Sequence, residues 1–411
     1  MTLPILRVAV RAFGPFESAI QKQFDDFCRV TGTVARLEAV PMDLEHLSDA
    51  LFPSGGLRDG TWDIGFIVTD WLAMAVDDGH VADLSLLSGH DRQSDADLCW
   101  PSCLRSLQQV GSATWGVPYH DGPQCLIYRS DLFDTEAAAF ADATGRALTP
   151  PRTWDEFVQV ARFFTDPGAG RWGTVVASYP DAHNTVYDFC AQVWSRGGQI
   201  VDATGNPALC TTEAAAGLDF YRWLVKESGV VHPEALLTDS VRSGALFAQG
   251  AAAMMTNWFG FAAHAVSAPE SAVQGCVNVA PMPCATDAES ASVLVYWLLA
   301  IGSGSRNKDL ASRFIRHATS AAMDRLLTLE GGIGCHSATW QHPSVISRIP
   351  FAAQMGRLHG LARTLPVDRR LPDLAAIINL AMKEGLTTED ASNTILARAQ
   401  NRAADLWKHR V

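Results

Sequence analysis

Residues Trp115 to Phe133 read WGVPYHDGPQCLIYRSDLF, and this stretch decides the fold. Two apolar runs, Thr114 to Pro118 and Cys125 to Arg129, are predicted to be strands. The segment between them, Tyr119 to Pro123, is polar and is broken by glycine and proline, so it is too irregular for a two-residue hairpin. We interpret it as a crossing of the chain between two lobes.

A helix is predicted soon after this stretch, where Pro151 to Phe157 read PRTWDEF. Thr153 is a good N-cap, and Glu156 three residues later completes the pattern of a capping box. A helix is therefore expected over Trp154 to Phe164.

The first eighty residues repeat one pattern three times, namely a short apolar strand, a turn and an amphipathic helix. The predicted strands and helices alternate as Leu6 to Val10, Glu17 to Val30, Thr33 to Leu37, Leu44 to Leu51, Ile64 to Val68 and Trp71 to Asp78. This alternation predicts an α/β lobe with a largely parallel sheet. Because ligands of such sheets bind at the carboxyl ends of the strands, Phe13, Asp43 and Asp70 are expected at one edge.

Length and composition indicate a globular protein with two lobes. The chain has 411 residues, of which 48% are hydrophobic and 18% charged, and this length exceeds what one core usually serves. A net charge of -12 with a pI near 5.4 argues against binding to nucleic acid or to an anionic membrane surface. No apolar run reaches the roughly 18 residues of a membrane span, so insertion into a membrane is not expected.

The nine cysteines are an odd number and form no CxxC pair. We interpret most of them as small buried hydrophobic residues, and their pairing stays open. Histidines and cysteines do not cluster at the spacing of metal ligands, so no metal or cofactor is expected. Met1 to Val10 lacks the pattern of an export signal, which leaves two possibilities: a leader has been removed, or the protein is not exported by this route.

Two further motifs lie in the second half of the chain. Residues Phe247 to Trp258 read FAQGAAAMMTNW, in which an apolar strand gives way to a helix start. Val293 to Gly302 is apolar and predicts a strand, and the polar turn and helix of Ser303 to Phe314 follow it. Val277 to Met282 is predicted to be a strand of the first lobe.

Taken in order, these motifs resemble the family 1 extracellular solute-binding proteins, the carbohydrate receptors of ABC importers. The match is specific in the run Phe-x-x-Gly-x-Ala-Ala-Met-x-x-x-Trp, and the resemblance covers nearly the whole chain. It implies a two-lobed periplasmic-binding-protein-like fold of type II, each lobe a sheet flanked by helices, with a helical C-terminal tail. The expected lobes are residues 1–118 with about 261–303, and about 119–260 with 304–411.

The resemblance also implies a function. It predicts a soluble, monomeric receptor that binds a sugar, oligosaccharide or glycoside between the lobes and delivers it to a transmembrane permease. Ligand contacts on both lobes would favour a closed form, which the permease would recognise. The implied location is periplasmic or extracellular, or cytoplasmic if the chain is complete as given.

Sugar recognition needs aromatic faces that stack on pyranose rings and polar side chains that satisfy hydroxyl groups. The resemblance and the strand ends together select a set of candidates. The residues predicted to face the ligand are Phe13, Asp43, Asp70, Tyr119, His120, Asp121, His183, Tyr187, Asn257, Trp258, Tyr296 and Trp297.

Several of these candidates also fit ordinary structural roles. Asp43 and Asp70 precede helices and suit helix capping, and Phe13 would suit a plug at the sheet edge. Tyr296 and Trp297 depart from the resembled family, which often has glycine there, and so bulky a pair would narrow the pocket.

Two other functions stay open at this point. The first is a carbohydrate-active hydrolase or lyase that uses carboxylates such as Asp70 and Asp121, although no catalytic motif occurs in a supporting context. The second is a receptor for a polyamine, a metal chelate or another solute that is not a sugar. Enzyme activity is the weaker of these hypotheses.

Overall fold

In the computed structural model, the chain forms two compact units. The structure describes residues 3–87, 100–286 and 288–408. The first unit consists of Met1–Gly122, Val295–Met355 and Leu365–Pro372. The second consists of Pro123–Leu294, Gly356–Thr364 and Asp373–Val411. The chain therefore passes from one unit to the other five times.

Strands and helices alternate through much of the chain. The strands are β1 (Ile5–Arg11), β2 (Arg36–Met42), β3 (Ile64–Val68), β4 (Gln109–Val110), β5 (Ala113–Thr114), β6 (Val117–His120), β7 (Gln124–Arg129), β8 (Trp172–Val175), β9 (Ala252–Trp258), β10 (Val277–Ala280), β11 (Ser292–Leu294), β12 (Trp297–Ile301) and β13 (Ala362–Thr364). The α-helices are α1 (Gly14–Thr31), α2 (Leu44–Leu51), α3 (Gly56–Asp59), α4 (Thr69–Asp77), α5 (Ser102–Leu107), α6 (Ser130–Thr135), α7 (Ala137–Thr144), α8 (Trp154–Phe164), α9 (Asn184–Trp194), α10 (Thr212–Lys226), α11 (Ser240–Ala248), α12 (Phe259–Ser267), α13 (Lys308–Ala318), α14 (Ala321–Leu329), α15 (Ser337–Trp340), α16 (Pro343–Arg348), α17 (Met355–Leu361), α18 (Leu371–Thr387) and α19 (Ser392–Lys408).

The first unit is built on a five-stranded sheet in the order β2-β1-β3-β12-β6. Strand β1 pairs in parallel with β2 and β3, which confirms the predicted βα alternation, and β12 runs antiparallel to β3 and β6. Trp297, at the start of β12, lies opposite both Val68 and His120. The carboxyl ends of β1, β2, β3 and β6 and the start of β12 therefore share one edge of this sheet.

The second unit contains a four-stranded sheet in the order β10-β7-β9-β8. Strand β7 runs antiparallel to β9 and β10, and β8 is parallel to β9. Trp258, the last residue of β9, lies opposite Gln124, the first residue of β7. The end of β9 and the start of β7 thus meet at one edge of this sheet.

Helix α8 confirms the helix predicted over Trp154–Phe164. The Thr153 hydroxyl oxygen accepts a hydrogen bond from the Glu156 amide at 3.2 Å, as an N-cap should. The Glu156 carboxylate, however, accepts from the Arg152 amide at 2.9 Å, one residue earlier than in a standard capping box.

The units differ from the expected lobes at residues 119–122, 261–294, 304–355 and 365–372. Residues 261–294 lie in the second unit rather than the first, because β10 pairs along its length with β7. Residues 304–355 lie in the first unit, where α13 packs against α1 with the rings of Phe27 and Phe314 at 5.8 Å. The predicted strand Val293 to Gly302 is in fact two strands, β11 and β12, which belong to different units.

Most other predicted elements agree within a few residues. The exceptions are β2, which begins at Arg36 instead of Thr33, and the strand predicted over Thr114 to Pro118. The latter is two strands, β5 and β6, and β6 includes Tyr119 and His120, which were predicted to lie in the irregular crossing. The interpretation of most cysteines as small buried residues holds for only half of those that the structure describes. Cys125, Cys190, Cys284 and Cys335 are buried, whereas Cys28, Cys103 and Cys276 are half-buried and Cys210 is exposed. In the described part of the chain, no helix combines the length and the apolar character needed to cross a membrane.

Candidate functional site

One edge of the first unit's sheet gathers Phe13, His120 and Trp297. The Trp297 side chain is half-buried, and the buried ring of Trp71 meets it edge-on at 6.2 Å and 89°. Phe16 packs edge-on against the His120 ring at 4.7 Å. The half-buried rings of Trp297 and His120 are therefore each fixed in orientation by a buried aromatic neighbour, Trp71 or Phe16.

His120 ends β6 as a neutral hydrogen-bond donor. Its Nδ1 accepts a hydrogen bond from the Ile333 amide at 2.9 Å. Burial lowers the pKa of His120 to about 4, against the opposing charge of Asp121. At neutral pH the single ring proton must therefore lie on Nε2, because Nδ1 is occupied as an acceptor. Such a donor suits a neutral ligand that carries hydroxyl oxygens.

The glycine-rich loop Gly331–Gly334 holds His120 in place. Besides donating its amide to His120, Ile333 accepts a hydrogen bond at its carbonyl oxygen from the Asp121 amide at 2.9 Å. The Gly334 amide donates to the Thr328 hydroxyl at 2.9 Å. In the sequence, the pair Gly331-Gly332 marks a turn after a helix, but no local pattern indicates that this turn contacts His120.

A buried carboxylate, Asp324, anchors the same loop from α14. Its Oδ1 accepts hydrogen bonds from the amides of Cys335 at 2.6 Å and His336 at 3.2 Å. A Cβ atom at Gly334 would lie 2.3 Å from the Asp324 carboxyl group, so this position requires glycine. Asp324 therefore acts on the candidate site indirectly, by fixing the loop that contacts His120.

In the second unit, three of the predicted residues form a chain of aromatic contacts. Trp258 is half-buried and meets the Tyr187 ring edge-on at 5.2 Å and 85°. Tyr187 in turn meets His183 at 5.7 Å and 75°. Because His183 and Tyr187 flank the first turn of α9 and Trp258 ends β9, the fold brings together residues about seventy positions apart in sequence.

Two of the predicted ligand-facing residues lie in the core of the first unit. Tyr119 is 2% exposed and donates its hydroxyl to Gln23 Oε1 at 2.9 Å. Tyr296 is fully buried and donates its hydroxyl to the Leu104 carbonyl oxygen. In β6 neighbouring side chains alternate between the two faces of the sheet, so Tyr119 is buried where His120 is half-buried. Tyr296 lies immediately before β12 and is buried next to the half-buried Trp297.

Asn257 also has a structural role. Its side-chain nitrogen donates to the Ser240 carbonyl and to the Ser243 hydroxyl, both at 3.0 Å, and its Oδ1 accepts from the Trp258 amide at 2.7 Å. The amide group thereby ties the end of β9 to the start of α11. We infer that Asn257 positions Trp258.

Of the remaining candidates, Asp43 caps its helix as the sequence allowed, whereas the expectation that Asp70 precedes and caps its helix is wrong, because Asp70 lies inside α4, whose N-cap is Val68. Asp43 is exposed and caps α2, where the hydrogen bond from the His46 amide lowers the pKa of Asp43. Asp70 is buried in the first turn of α4, and Asp121 is fully buried. Phe13 lies immediately before α1 and packs edge-on against Phe16 at 5.1 Å.

A buried polar network lies beside the aromatic residues of the second unit. Asp188 on α9 accepts hydrogen bonds from Gln124 Nε2 at 3.1 Å and from the Tyr221 hydroxyl at 2.9 Å. The Ser178 hydroxyl lies 3.0 Å from that of Tyr221. Burial raises the pKa of Asp188 to about 7, and the charge of Asp181 acts in the same direction. The ionised and neutral forms of Asp188 are therefore close in free energy near neutral pH.

This raised pKa predicts a pH-dependent stability. Because an unfolded aspartate titrates near 3.9, the native state carries an extra proton between about pH 4 and 7, and the free energy of unfolding falls as the pH rises through this range. The Asp188→Asn variant lacks this titration. The unaltered protein should lose about 2 kcal/mol more than the variant between pH 5 and 8, as measured by urea denaturation. The control is Asp155→Asn, an exposed acid of the same unit, and equal pH dependence in all three proteins would contradict the prediction.

Comparison with known proteins gives a family match over most of the chain. A family model described as bacterial extracellular solute-binding protein matches residues 17–324. A probable amino-acid ABC transporter periplasmic-binding protein of Sinorhizobium fredii is 24% identical over 257 residues. That alignment covers 61% of this chain and spans 57% of the relative's length.

Solved structures agree over nearly the whole length. T. maritima MalE3 with bound maltose has a TM-score of 0.86 at 21% identity, covering 98% of this chain and 99% of that one. An ABC transporter solute-binding protein from Agrobacterium radiobacter K84 in complex with ribitol has a TM-score of 0.83 at 23% identity, with 98% of both chains covered. At these identities the structural likeness establishes the fold and leaves the ligand open.

Proposed function

Because the chain belongs to the bacterial extracellular solute-binding protein family and is a solute-binding protein of an ABC transporter, we propose that its ligand is a sugar or a polyol. Its fold is the mixed α/β fold of the periplasmic binding proteins, as the resemblance implied. The family is not enzymatic, which removes the hydrolase or lyase hypothesis. The family is extracellular or periplasmic, and we propose the same location for this protein.

The pair of half-buried tryptophans, Trp297 in the first unit and Trp258 in the second, carries this proposal. Each lies at an edge of its unit's sheet, and each is held edge-on by a buried aromatic residue, Trp71 or Tyr187. Fixed aromatic faces suit the C–H faces of sugars and the carbon chains of polyols. We propose that both tryptophans contact the ligand and that His120 donates a hydrogen bond to it from Nε2.

The name of the Sinorhizobium relative makes an amino acid the second candidate ligand. Two carboxyl groups at and near the start of α9 favour a neutral ligand instead. Asp181 precedes the helix and Asp188 lies on it, and the other ionisable side chains of residues 181–194 are His183 and the weakly acidic Tyr187 and Cys190. Burial already disfavours the ionised form of Asp188. A ligand carboxylate near these acids would be repelled, whereas hydroxyl groups would not.

A thermal-shift panel tests the proposal. Maltose, ribitol, D-mannitol, a set of L-amino acids and spermidine would each be added to the purified protein. At a hundred times its dissociation constant a ligand adds about 2.7 kcal/mol to the free energy of unfolding, so the melting temperature should rise with a sugar or polyol. A rise with an amino acid or spermidine and with none of the hydroxyl compounds would overturn the proposal.

We propose that the protein acts as a monomer and that ligand binding brings it to a closed form recognised by the permease. Closure is favoured wherever the ligand binds the closed form better than the open one.

A further inference from the structure

Gln124 occupies an unusual place for a buried polar residue. It is 3% exposed, follows Pro123 at the first position of β7, and lies opposite Trp258 in the sheet. Its Nε2 donates to Asp188 Oδ1 at 3.1 Å. Among the residues that the structure describes, no group donates a hydrogen bond to its Oε1.

The network around Asp188 fixes which way the Gln124 amide points. A carboxylate oxygen accepts hydrogen bonds, so the amide nitrogen of Gln124 must face Asp188 when Asp188 is ionised. The other carboxylate oxygen accepts from the Tyr221 hydroxyl at 2.9 Å, and the Ser178 hydroxyl lies beside that of Tyr221. Because the amide nitrogen faces Asp188, the side-chain carbonyl oxygen of Gln124 faces away from Asp188.

A buried acceptor without a donor lowers stability, so such groups require an explanation. Here the acceptor is the side-chain carbonyl oxygen of Gln124, which pairs with Trp258 in the sheet. We have proposed that Trp258 contacts the ligand. A donor that arrives with the ligand would satisfy this acceptor. We infer that Gln124 contributes to ligand specificity by accepting a hydrogen bond at its side-chain carbonyl from a hydroxyl group of the sugar or polyol. This inference rests on the proposed function.

If Gln124 accepts a hydrogen bond from the ligand, the protein should prefer ligands that carry the matching hydroxyl group. A site whose buried acceptor must be satisfied discriminates strongly against an analogue that lacks the matching hydroxyl, because the acceptor is then left unpaired. Monodeoxy analogues of the bound compound should therefore include one that binds at least tenfold more weakly than the parent. In Gln124→Met the same analogue and the parent should bind about equally.

The experiment measures affinity by calorimetry at pH 8, with whichever of maltose, ribitol and D-mannitol stabilises the protein most. Gln124→Met should bind this probe about tenfold more weakly than the unaltered protein. The matched control is Gln192→Met, which removes another buried glutamine of the same unit, one that bonds to Arg196. This control should bind the probe as the unaltered protein does.

Unchanged affinity in Gln124→Met, with a probe that binds the unaltered protein, would overturn the inference and leave the proposed function standing. If none of the three compounds binds the unaltered protein, the proposed function fails first and the inference fails with it. A second measurement needs no variant. The side-chain ¹³Cδ resonance of Gln124 in the labelled, unaltered protein should shift when the probe saturates it, and an unmoved resonance would overturn the inference even if Gln124→Met does not fold.

Discussion

Replacing Trp258 with alanine should weaken ligand binding by about a hundredfold, which corresponds to about 2.7 kcal/mol. A large aromatic residue that anchors a ligand commonly costs more than 2 kcal/mol of binding when truncated. The variant should nevertheless fold, because Trp258 is half-buried, and a fully buried tryptophan would cost about 3–5 kcal/mol of stability. Calorimetry on the ligand and thermal melting of the free protein would be run on the same samples.

The control for this experiment is Trp223→Ala. Trp223 is also half-buried and lies in the same unit, on α10, where the Arg162 guanidinium packs over its ring at 5.6 Å. Its removal should lower stability slightly and leave the affinity unchanged. A Trp258→Ala protein that melts much earlier but binds as well as the unaltered protein would show that Trp258 belongs to the core.

Replacing Asp324 with alanine should lower the free energy of unfolding by about 3–5 kcal/mol. The change leaves the amides of Cys335 and His336 buried without an acceptor, and each such group costs about 1–3 kcal/mol. Asp324→Asn keeps an acceptor oxygen in place, so we expect a clearly smaller loss. Urea denaturation followed by tryptophan fluorescence would measure both.

Asp309→Ala serves as the matched control, because Asp309 is an exposed acid on α13 whose ion pair with Arg313 spans 3.3 Å. Exposed ion pairs contribute about 0–1 kcal/mol, so this variant should be close to the unaltered protein in stability. Equal losses in Asp324→Ala and Asp324→Asn would mean that the carboxylate charge, rather than the acceptor for the two amides, stabilises the loop.

Local sequence patterns predicted the elements that depend on local interactions. The N-cap at Thr153 set the start of α8, and the alternation of strands and helices gave the parallel part of the first sheet. The unit to which β10 belongs could not be predicted in this way. Its pairing with β7 joins residues about 150 positions apart. The apolar residues of so short a strand are compatible with pairing in either sheet.

The candidate site shows the same limit at the level of single side chains. Neighbouring residues of a strand point to opposite faces, so of Tyr119 and His120, and of Tyr296 and Trp297, the sequence could indicate that one is buried but not which one. The contact between His120 and Ile333 was equally out of reach, because it joins residues 213 positions apart. The ligand-facing role of each remaining candidate stays a prediction.

The order of segments in the first unit has a consequence for synthesis on the ribosome. Strand β12 lies between β3 and β6 in the finished sheet, but it is translated about 180 residues after β6. Until then β3 and β6 lack the neighbour that they share, and exposed strand edges are prone to pair with other chains. The last segment of this unit ends at Pro372, so translation must pass this residue before the unit can be completed. The nascent chain therefore depends on late closure of the sheet. A protein that ends at Thr364, just before the fourth crossing, would lack Leu365–Pro372 and could not assemble a whole first unit.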